Sequence, residues 1–349
     1  MNMETKVENK NEQTGADVLV ESLQANGVNS LFGLPGGQLD NFFDAIQRKG
    51  KDFSIIRSRH EQGAAYMAFG AARSTGKPSV FSVVPGPGIM NSMGALSTAW
   101  AANSPVLSLC GQIGSDQIGS GRGYLHEIPD QLATMRTLLK HAERIDTPHN
   151  APQMINDAFV AMQSGRPGPV HLEMSPDVMG AKTGFVPCRA APEHHRQCAD
   201  VNDIDEAIAL LKSAKRPLIY VGGGAQDAAS QVNALANMIE APVTCFRSGR
   251  GIMDDRDYHA QVFPAGRRLW KDADVVFAIG TRLKYAQLYW GLDEDIKIIR
   301  LDIDPKEFGR YAQPAVALHG DAVATLDALL PALEADLDGT PASRERELT

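Results

Sequence analysis

The sequence predicts an α/β protein of two doubly wound domains, each built on a mostly parallel sheet. Three observations carry this expectation. Short apolar runs of strand length alternate with helical-period stretches along nearly the whole chain, the pattern of βα units whose helices cover both faces of a sheet. Nearly every apolar run ends in a turn containing glycine or proline. At 349 residues the chain exceeds the usual length of one domain, and its regularity lapses once, over 177–202, where Pro187, Pro192, Cys188, Cys198, His194 and His195 fall together.

The elements follow in order. Residues 1–13 read as a polar tail. Val18, Leu19 and Leu23 mark an amphipathic helix that Gly27 ends. A strand over 28–32 runs into Gly33-Leu34-Pro35-Gly36-Gly37, and a helix covers 38–46. Ile55 and Ile56 form a strand leading to a small-residue helix that ends near Ser74. A strand over 79–84, the turn Pro85-Gly86-Pro87-Gly88 and a long helix over 89–102 come next. A strand over 106–110 ends in Gly111-Gln112, and a glycine-rich loop runs to Gly123. Helix 128–139, strand 142–145, helix 152–164 and strand 169–173 complete a domain over 14–180. A linker is expected over 181–202. The second domain, 203–335, contains helix 204–214 and strand 217–221, then the run Gly222-Gly223-Gly224 and helix 228–239. Strand 243–245, helix 266–271, strand 275–279, strand 296–301 and helix 322–333 follow, and 336–349 read as a polar tail.

Composition bounds the function. A net charge of -8 gives no basic patch and argues against a nucleic-acid partner. No apolar run approaches the length of a membrane span, and residues 1–11 carry no signal-peptide core, so the expected location is the cytoplasm. Cys110, Cys188, Cys198 and Cys245 form no CxxC pair, which fits free thiols and no metal site.

The stretch Arg59-His60-Glu61-Gln62-Gly63-Ala64-Ala65 places one carboxylate where a strand hands over to a helix. In open α/β sheets ligands bind there, at the carboxyl ends of the strands. Glu61 alone is open to two readings, a functional group or a complement to the helix macrodipole. His60 beside Glu61 suggests an acid–base pair, but the two need not share a site, because consecutive helix positions point apart. Gly222-Gly223-Gly224 reads either as a phosphate turn at a helix N-terminus or as a plain strand–helix turn, the GxGxxG pattern being broken by Asp227. Asp304-Pro305 reads as an N-cap with an N1 proline, and Asp302 stays open as a ribose- or metal-binding group.

Taken together the motifs carry a resemblance. Phe32-Gly33-Leu34-Pro35-Gly36-Gly37, Arg59-His60-Glu61-Gln62-Gly63-Ala64-Ala65, Gly86-Pro87-Gly88 with Asn91, Gly111-Gln112, Gly165-Arg166-Pro167-Gly168-Pro169-Val170 and Leu301-Asp302-Ile303-Asp304-Pro305 occur in that order. The chain resembles the acetolactate synthase and pyruvate oxidase group of thiamine-diphosphate-dependent enzymes from about Gly15 to Leu333. The resemblance implies a pyrimidine-binding domain followed by a central, Rossmann-like domain. The third domain of that group, which holds the cofactor diphosphate through Mg2+, is not expected here. Its Gly-Asp-Gly motif does not occur, and Gly320-Asp321 begins the central domain's last helix.

By resemblance, Glu61 is the catalytic glutamate, hydrogen-bonding a ring nitrogen of the cofactor's aminopyrimidine so that the cofactor loses its C2 proton and then serves as electron sink for decarboxylation of a 2-oxo acid. Pro35, Gly36 and Gly37 would let the backbone approach the pyrimidine, and Asn91 and Gln112 would reach the cofactor or its adduct. Arg166, Gly222, Gly223, Gly224, Arg282 and Asp302 match positions that hold FAD in flavin-binding members, so FAD stays an open expectation. Leu283-Lys284-Tyr285 replaces the acidic pair that often follows the arginine, and Leu125-His126-Glu127 stands where synthases carry Phe-Gln-Glu. A homodimer or tetramer is implied. The alternative is a non-catalytic fragment or cofactor-binding subunit that needs a separate diphosphate-binding domain.

Overall fold

The computed structural model describes residues 12–193, 195–291, 295–337, 339 and 341–349. The chain divides into two compact units, 1–194 and 195–349. In unit 1 the elements are β1 (Gln13–Thr14), α1 (Gly15–Ala25), β2 (Ser30–Gly33), α2 (Asp40–Lys49), β3 (Ser54–Arg57), α3 (Glu61–Thr75), β4 (Ser79–Val83) and α4 (Pro87–Ala101). They continue with β5 (Val106–Gly111), α5 (Gln131–Arg136), β6 (His141–Ile145), α6 (Ala151–Gln163), β7 (Val170–Met174), α7 (Pro176–Gly180) and β8 (Lys182–Thr183). Unit 2 holds α8 (Val201–Ser213), β9 (Pro217–Val221), α9 (Ala229–Ile239), β10 (Val243–Cys245), β11 (Ala260–Gln261), α10 (Phe263–Asp272), β12 (Val275–Ile279), β13 (Lys297–Asp302), β14 (Val316–His319), α11 (Ala322–Asp336) and α12 (Glu345–Leu348).

Each unit carries a six-stranded sheet, ordered β3-β2-β4-β5-β7-β6 in unit 1 and β11-β10-β9-β12-β13-β14 in unit 2. Every pairing within the two sheets is parallel. Both are therefore doubly wound, as the alternation of runs implies. The strand order reverses between β2 and β4 in unit 1 and between β9 and β12 in unit 2, and loops leaving the carboxyl ends of strands on either side of such a point diverge to open a crevice.

Both faces of each sheet are buried, which explains strands apolar at odd and even positions alike. On β5, Leu107 and Leu109 join one core layer while Val106 and Cys110 join the other. On β12, Val275, Phe277 and Ile279 face one layer and Val276 and Ala278 the opposite one. α3 lays Ala64, Ala65, Ala68 and Ala72 on the sheet, and these short side chains bring its backbone, and hence Glu61 at its first turn, close to the strand ends. His60 caps that helix, its Nδ1 accepting from the Gln62 N–H at 3.2 Å. No helix among the described residues is long and apolar enough to cross a membrane.

Several sequence expectations are corrected. The linker reading of 181–202 is corrected at its start: Lys182–Thr183 pairs antiparallel with Gln13–Thr14, and Val186 is buried in the core of unit 1 with Cys188 and Ala191 packed beside it. Position 13 is therefore ordered strand rather than tail, and 1–11 lie outside the described residues. Within the expected tail, residues 344–348 also dock, because their polar groups find partners: Arg344 donates to the Pro217 carbonyl at 3.1 Å and pairs with Glu347 at 2.9 Å, and Gln261 donates to the Leu348 carbonyl at 3.1 Å. The strand β14 was not expected at all.

Candidate active site

The crevice of unit 1 is built from the loop after β2, the first turn of α3 and the turn after β4. Leu34 ties the first loop to β4, its N–H donating to the Ser82 carbonyl at 3.1 Å. Val84 is wedged between two glycines. A Cβ on Gly36 would stand 2.4 Å from Val84 Cγ1, and one on Gly88 would stand 2.6 Å from Cγ2. Gly37 faces open space and Pro35 is exposed.

Glu61 lies against this turn. Its Cγ is 3.8 Å from the Cβ position of Gly88, and its Oε2 accepts from Asn91 Nδ2 at 3.0 Å. Its side chain is 16% exposed, so the carboxylate is sheltered yet reachable. His60 stands beside it, with Nδ1 3.9 Å from Glu61 Oε2. The rule that consecutive helix positions diverge does not govern this pair, because His60 is the N-cap with extended backbone (φ -154, ψ 143). Accepting from Gln62 at Nδ1 places the proton of the neutral ring on Nε2.

The turn that leads into α4 is fixed on its far side. Gly86 has φ +57, and a Cβ there would stand 2.5 Å from the His126 carbonyl oxygen. His126 itself has φ +72. The loop that carries it is pinned by the next residue: the Glu127 carboxylate accepts from the N–H groups of Gly121, Gly123 and Tyr124 at 2.8, 2.7 and 2.9 Å. These bonds, that from Tyr124 first, hold the Glu127 pKa below the ordinary value.

Gln112 is 5% exposed, and both ends of its amide are engaged. Nε2 donates to Glu173 Oε1 at 3.2 Å, and Oε1 accepts from the Ile113 N–H at 2.8 Å. Glu173 was missed by sequence reasoning. It is fully buried, and although burial pushes its pKa up, bonds from His171, Gln131 and Arg144 outweigh that and bring it down to about 2. Arg166 precedes β7, at the amino end of the sheet, so the structure does not bring it to Glu61. Among the described residues no three His, Cys, Asp or Glu side chains converge to hold a metal ion.

In unit 2 the glycine turn is accounted for by packing. A Cβ on Gly222 would meet the Gly280 carbonyl oxygen at 2.4 Å and one on Gly224 the Gly280 Cα at 2.9 Å. The Gly224 N–H donates to the Gly280 carbonyl at 3.0 Å. Behind them the buried Arg300 donates to the Thr281 carbonyl at 2.8 Å and the Glu307 carbonyl at 2.7 Å. Arg282 Nε stands 3.9 Å from Glu307 Oε1. Asp302 accepts from the Asp304 N–H at 3.0 Å, and Asp304 caps the turn that Pro305 opens. Asp321 caps α11, accepting from Val323 and Ala324.

Residues 13–134 match the N-terminal TPP-binding domain of thiamine pyrophosphate enzymes, and residues 204–329 match their central domain. The chain belongs to the thiamine-diphosphate-dependent enzyme family. Among the relatives of this family member is a probable 2-ketoarginine decarboxylase of Pseudomonas aeruginosa, 33% identical over 340 residues, covering 95% of this chain and 60% of that protein. An acetolactate synthase of Arthrospira platensis is 31% identical over 339 residues, 91% of this chain and 58% of that protein. The isozyme 1 large subunit of acetolactate synthase from Escherichia coli is also 31% identical over 339 residues, 92% of this chain and 58% of that protein. The chain thus spans about three fifths of the length of these relatives.

Proposed function

We propose that unit 1 supplies the pyrimidine-binding half of a thiamine-diphosphate site, in an enzyme of acetolactate-synthase type that decarboxylates a 2-oxo acid and then releases or transfers the remaining fragment. One observation carries the reading: a sheltered carboxylate, Glu61, oriented by Asn91 at the strand-order reversal of a parallel sheet, beside a loop whose Gly37 leaves the backbone open to a flat ring. When bound, thiamine diphosphate supplies the carbon acid and the electron sink. Glu61 Oε2 is held by Asn91, which leaves Oε1 to share a proton with a ring nitrogen, and the sheltered position strengthens that bond relative to water. Pro35, Gly36 and Gly37 would form the face on which the ring rests.

The diphosphate and its Mg2+ would be held by a further domain or a partner chain, in keeping with relatives longer than this chain. A homodimer or tetramer would bring such parts together. The close approach of Gly222 and Gly224 to Gly280 accounts for those glycines without a ligand.

Glu61→Gln in an enzyme reconstituted with a diphosphate-binding domain should keep the urea midpoint and slow C2 proton exchange by on the order of 100-fold or more. Unchanged exchange would remove the role given to Glu61. The coverage of the relatives also favours a second reading, a binding subunit that is inactive alone. Reconstitution with a diphosphate-binding domain separates the two: turnover that Glu61→Gln abolishes supports the catalytic reading, and thiamine diphosphate binding without turnover supports the binding subunit.

A further inference from the structure

The carboxyl ends of β5, β6 and β7 carry a buried polar network that the proposed chemistry does not use. In the parallel register Cys110, Glu173 and Arg144 form one row across the three strands, and Ser108 and His171 form the row before it. All of these side chains therefore face one side of the sheet. Glu173, His171 and Ser108 are fully buried, and Gln131 is 2% exposed.

Four donors converge on the Glu173 carboxylate. Oε1 accepts from Arg144 Nε at 2.7 Å and Gln112 Nε2 at 3.2 Å. Oε2 accepts from Gln131 Nε2 at 2.7 Å and lies 3.5 Å from His171 Nε2. His171 Nδ1 is 3.1 Å from Ser108 Oγ, whose hydroxyl can donate to it, leaving the Nε2 proton for Glu173. Only an ionised carboxylate offers acceptors on both oxygens for such a set; an amide in its place would turn an NH2 toward two of the donors.

The arrangement sets the direction of a second bond. With its Nε2 donating to Glu173 at 2.7 Å and, more weakly, to the Gly111 carbonyl at 3.3 Å, Gln131 presents Oε1 to the Gly86 N–H at 2.9 Å. Gly86 is the N-cap of α4, the helix from which Asn91 donates to Glu61. A buried ion pair is a poor device for stability alone, since an apolar replacement of equal shape is often neutral or better.

We propose that Glu173 is a positioning residue for the Glu61 crevice: through Gln131 it holds the Gly86 turn, and with it the α4 residues that orient Glu61. The inference rests on the reading of Glu61 as the working carboxylate, but its test does not need the cofactor.

The test is amide hydrogen exchange by NMR on this chain, comparing Glu173→Gln, Gln131→Met and the double variant. The Gly86 N–H should exchange about 10-fold faster in each single variant, the effect of losing one buried hydrogen bond, beyond any change shared with the core amide of Phe81. The double variant should be no faster than Gln131→Met alone, and the Asn91 side-chain amide signal should shift in all three. Gly86 exchange that merely follows Phe81, additive effects, or an unmoved Asn91 signal would overturn the proposal. If Glu173→Gln does not fold, Glu173→Asp, which keeps the charge but draws the carboxylate away from Gln131, decides by the same Gly86 and Asn91 readouts. A failed cofactor role for Glu61 would appear in Glu61→Gln kinetics and leave these exchange rates as they stand.

Discussion

Gly36 can be glycine for either of two reasons, and Val84 separates them. A Cβ at Gly36 would lie 2.4 Å from Val84 Cγ1 and one at Gly88 2.6 Å from Val84 Cγ2, against roughly 3.5–4.0 Å for ordinary carbon contacts. Val84 cannot swing aside cheaply, because a β-branched side chain is stiff at χ1. Gly36→Ala should therefore cost about 1–3 kcal/mol by overpacking, with no backbone strain, since φ is -171. Val84→Ala removes two methyl groups from a half-buried site and should cost about 1 kcal/mol. In the double variant the new methyl occupies the space vacated by Cγ1, so its cost should fall below the sum by roughly 1–2 kcal/mol. Urea unfolding followed by circular dichroism reads all three. Additive costs would refute the packing account. Thiamine diphosphate affinity in a reconstituted enzyme then addresses function: if Gly36→Ala weakens binding equally with and without Val84, the glycine is there for the ligand.

Other outcomes follow from the same geometry. The Glu173 pKa lies near 2 in the folded protein against 4.5 unperturbed. Its ionised form therefore contributes stability above pH 4.5, worth about 3 kcal/mol, that is lost as pH falls through about 2; acid titration of the urea midpoint should show this slope, and Glu173→Gln should lack it. Gly280→Ala combines φ +56 with a Cβ 2.5 Å from the Gly224 carbonyl carbon, so unit 2 should lose about 3 kcal/mol or more while unit 1 keeps its own transition. Arg344→Met removes the donors to Pro217 and Glu347, and limited proteolysis should then cut near residue 344 several-fold faster.

What was legible in the sequence is what the backbone demands. The turns after β2, β4, β9 and β12 need glycine for close approaches or positive φ, so their glycines mark the strand ends in the sequence. Glu61 was legible only in company, since a lone acidic residue at a helix start has an electrostatic explanation of its own. Glu173 was hidden because Val170-His171-Leu172-Glu173-Met174 alternates apolar and polar residues as a strand with one wet face would. In the structure both faces are dry, and the polar positions are satisfied by Gln112, Gln131 and Arg144 from three other segments. Such convergence depends on register across the sheet, which no local pattern encodes. The segments at 182–186 and 344–348 escaped for a related reason: their polar composition resembles a linker or tail, and only their partners in the core reveal them.

The two units use their strand-end glycines differently, which favours unit 1 for the proposed chemistry. In unit 2 the loops after β9 and β12 close on each other, backbone against backbone, with Arg300 locking the loop after β12 to the turn after β13. In unit 1 the corresponding loops are kept apart by the Val84 wedge, and the carboxylate beside that wedge has an engaged oxygen, Oε2, and a sheltered but accessible side chain. A catalytic carboxylate that must share a proton with a ring nitrogen needs such a position: fixed in direction, shielded from bulk water and open on one side. The buried side of the same turn is tied to Glu173 through Gln131, so an open face coexists with a hydrogen-bonded one behind it. That asymmetry, more than the glycines, distinguishes the crevice of unit 1 from the strand ends of unit 2.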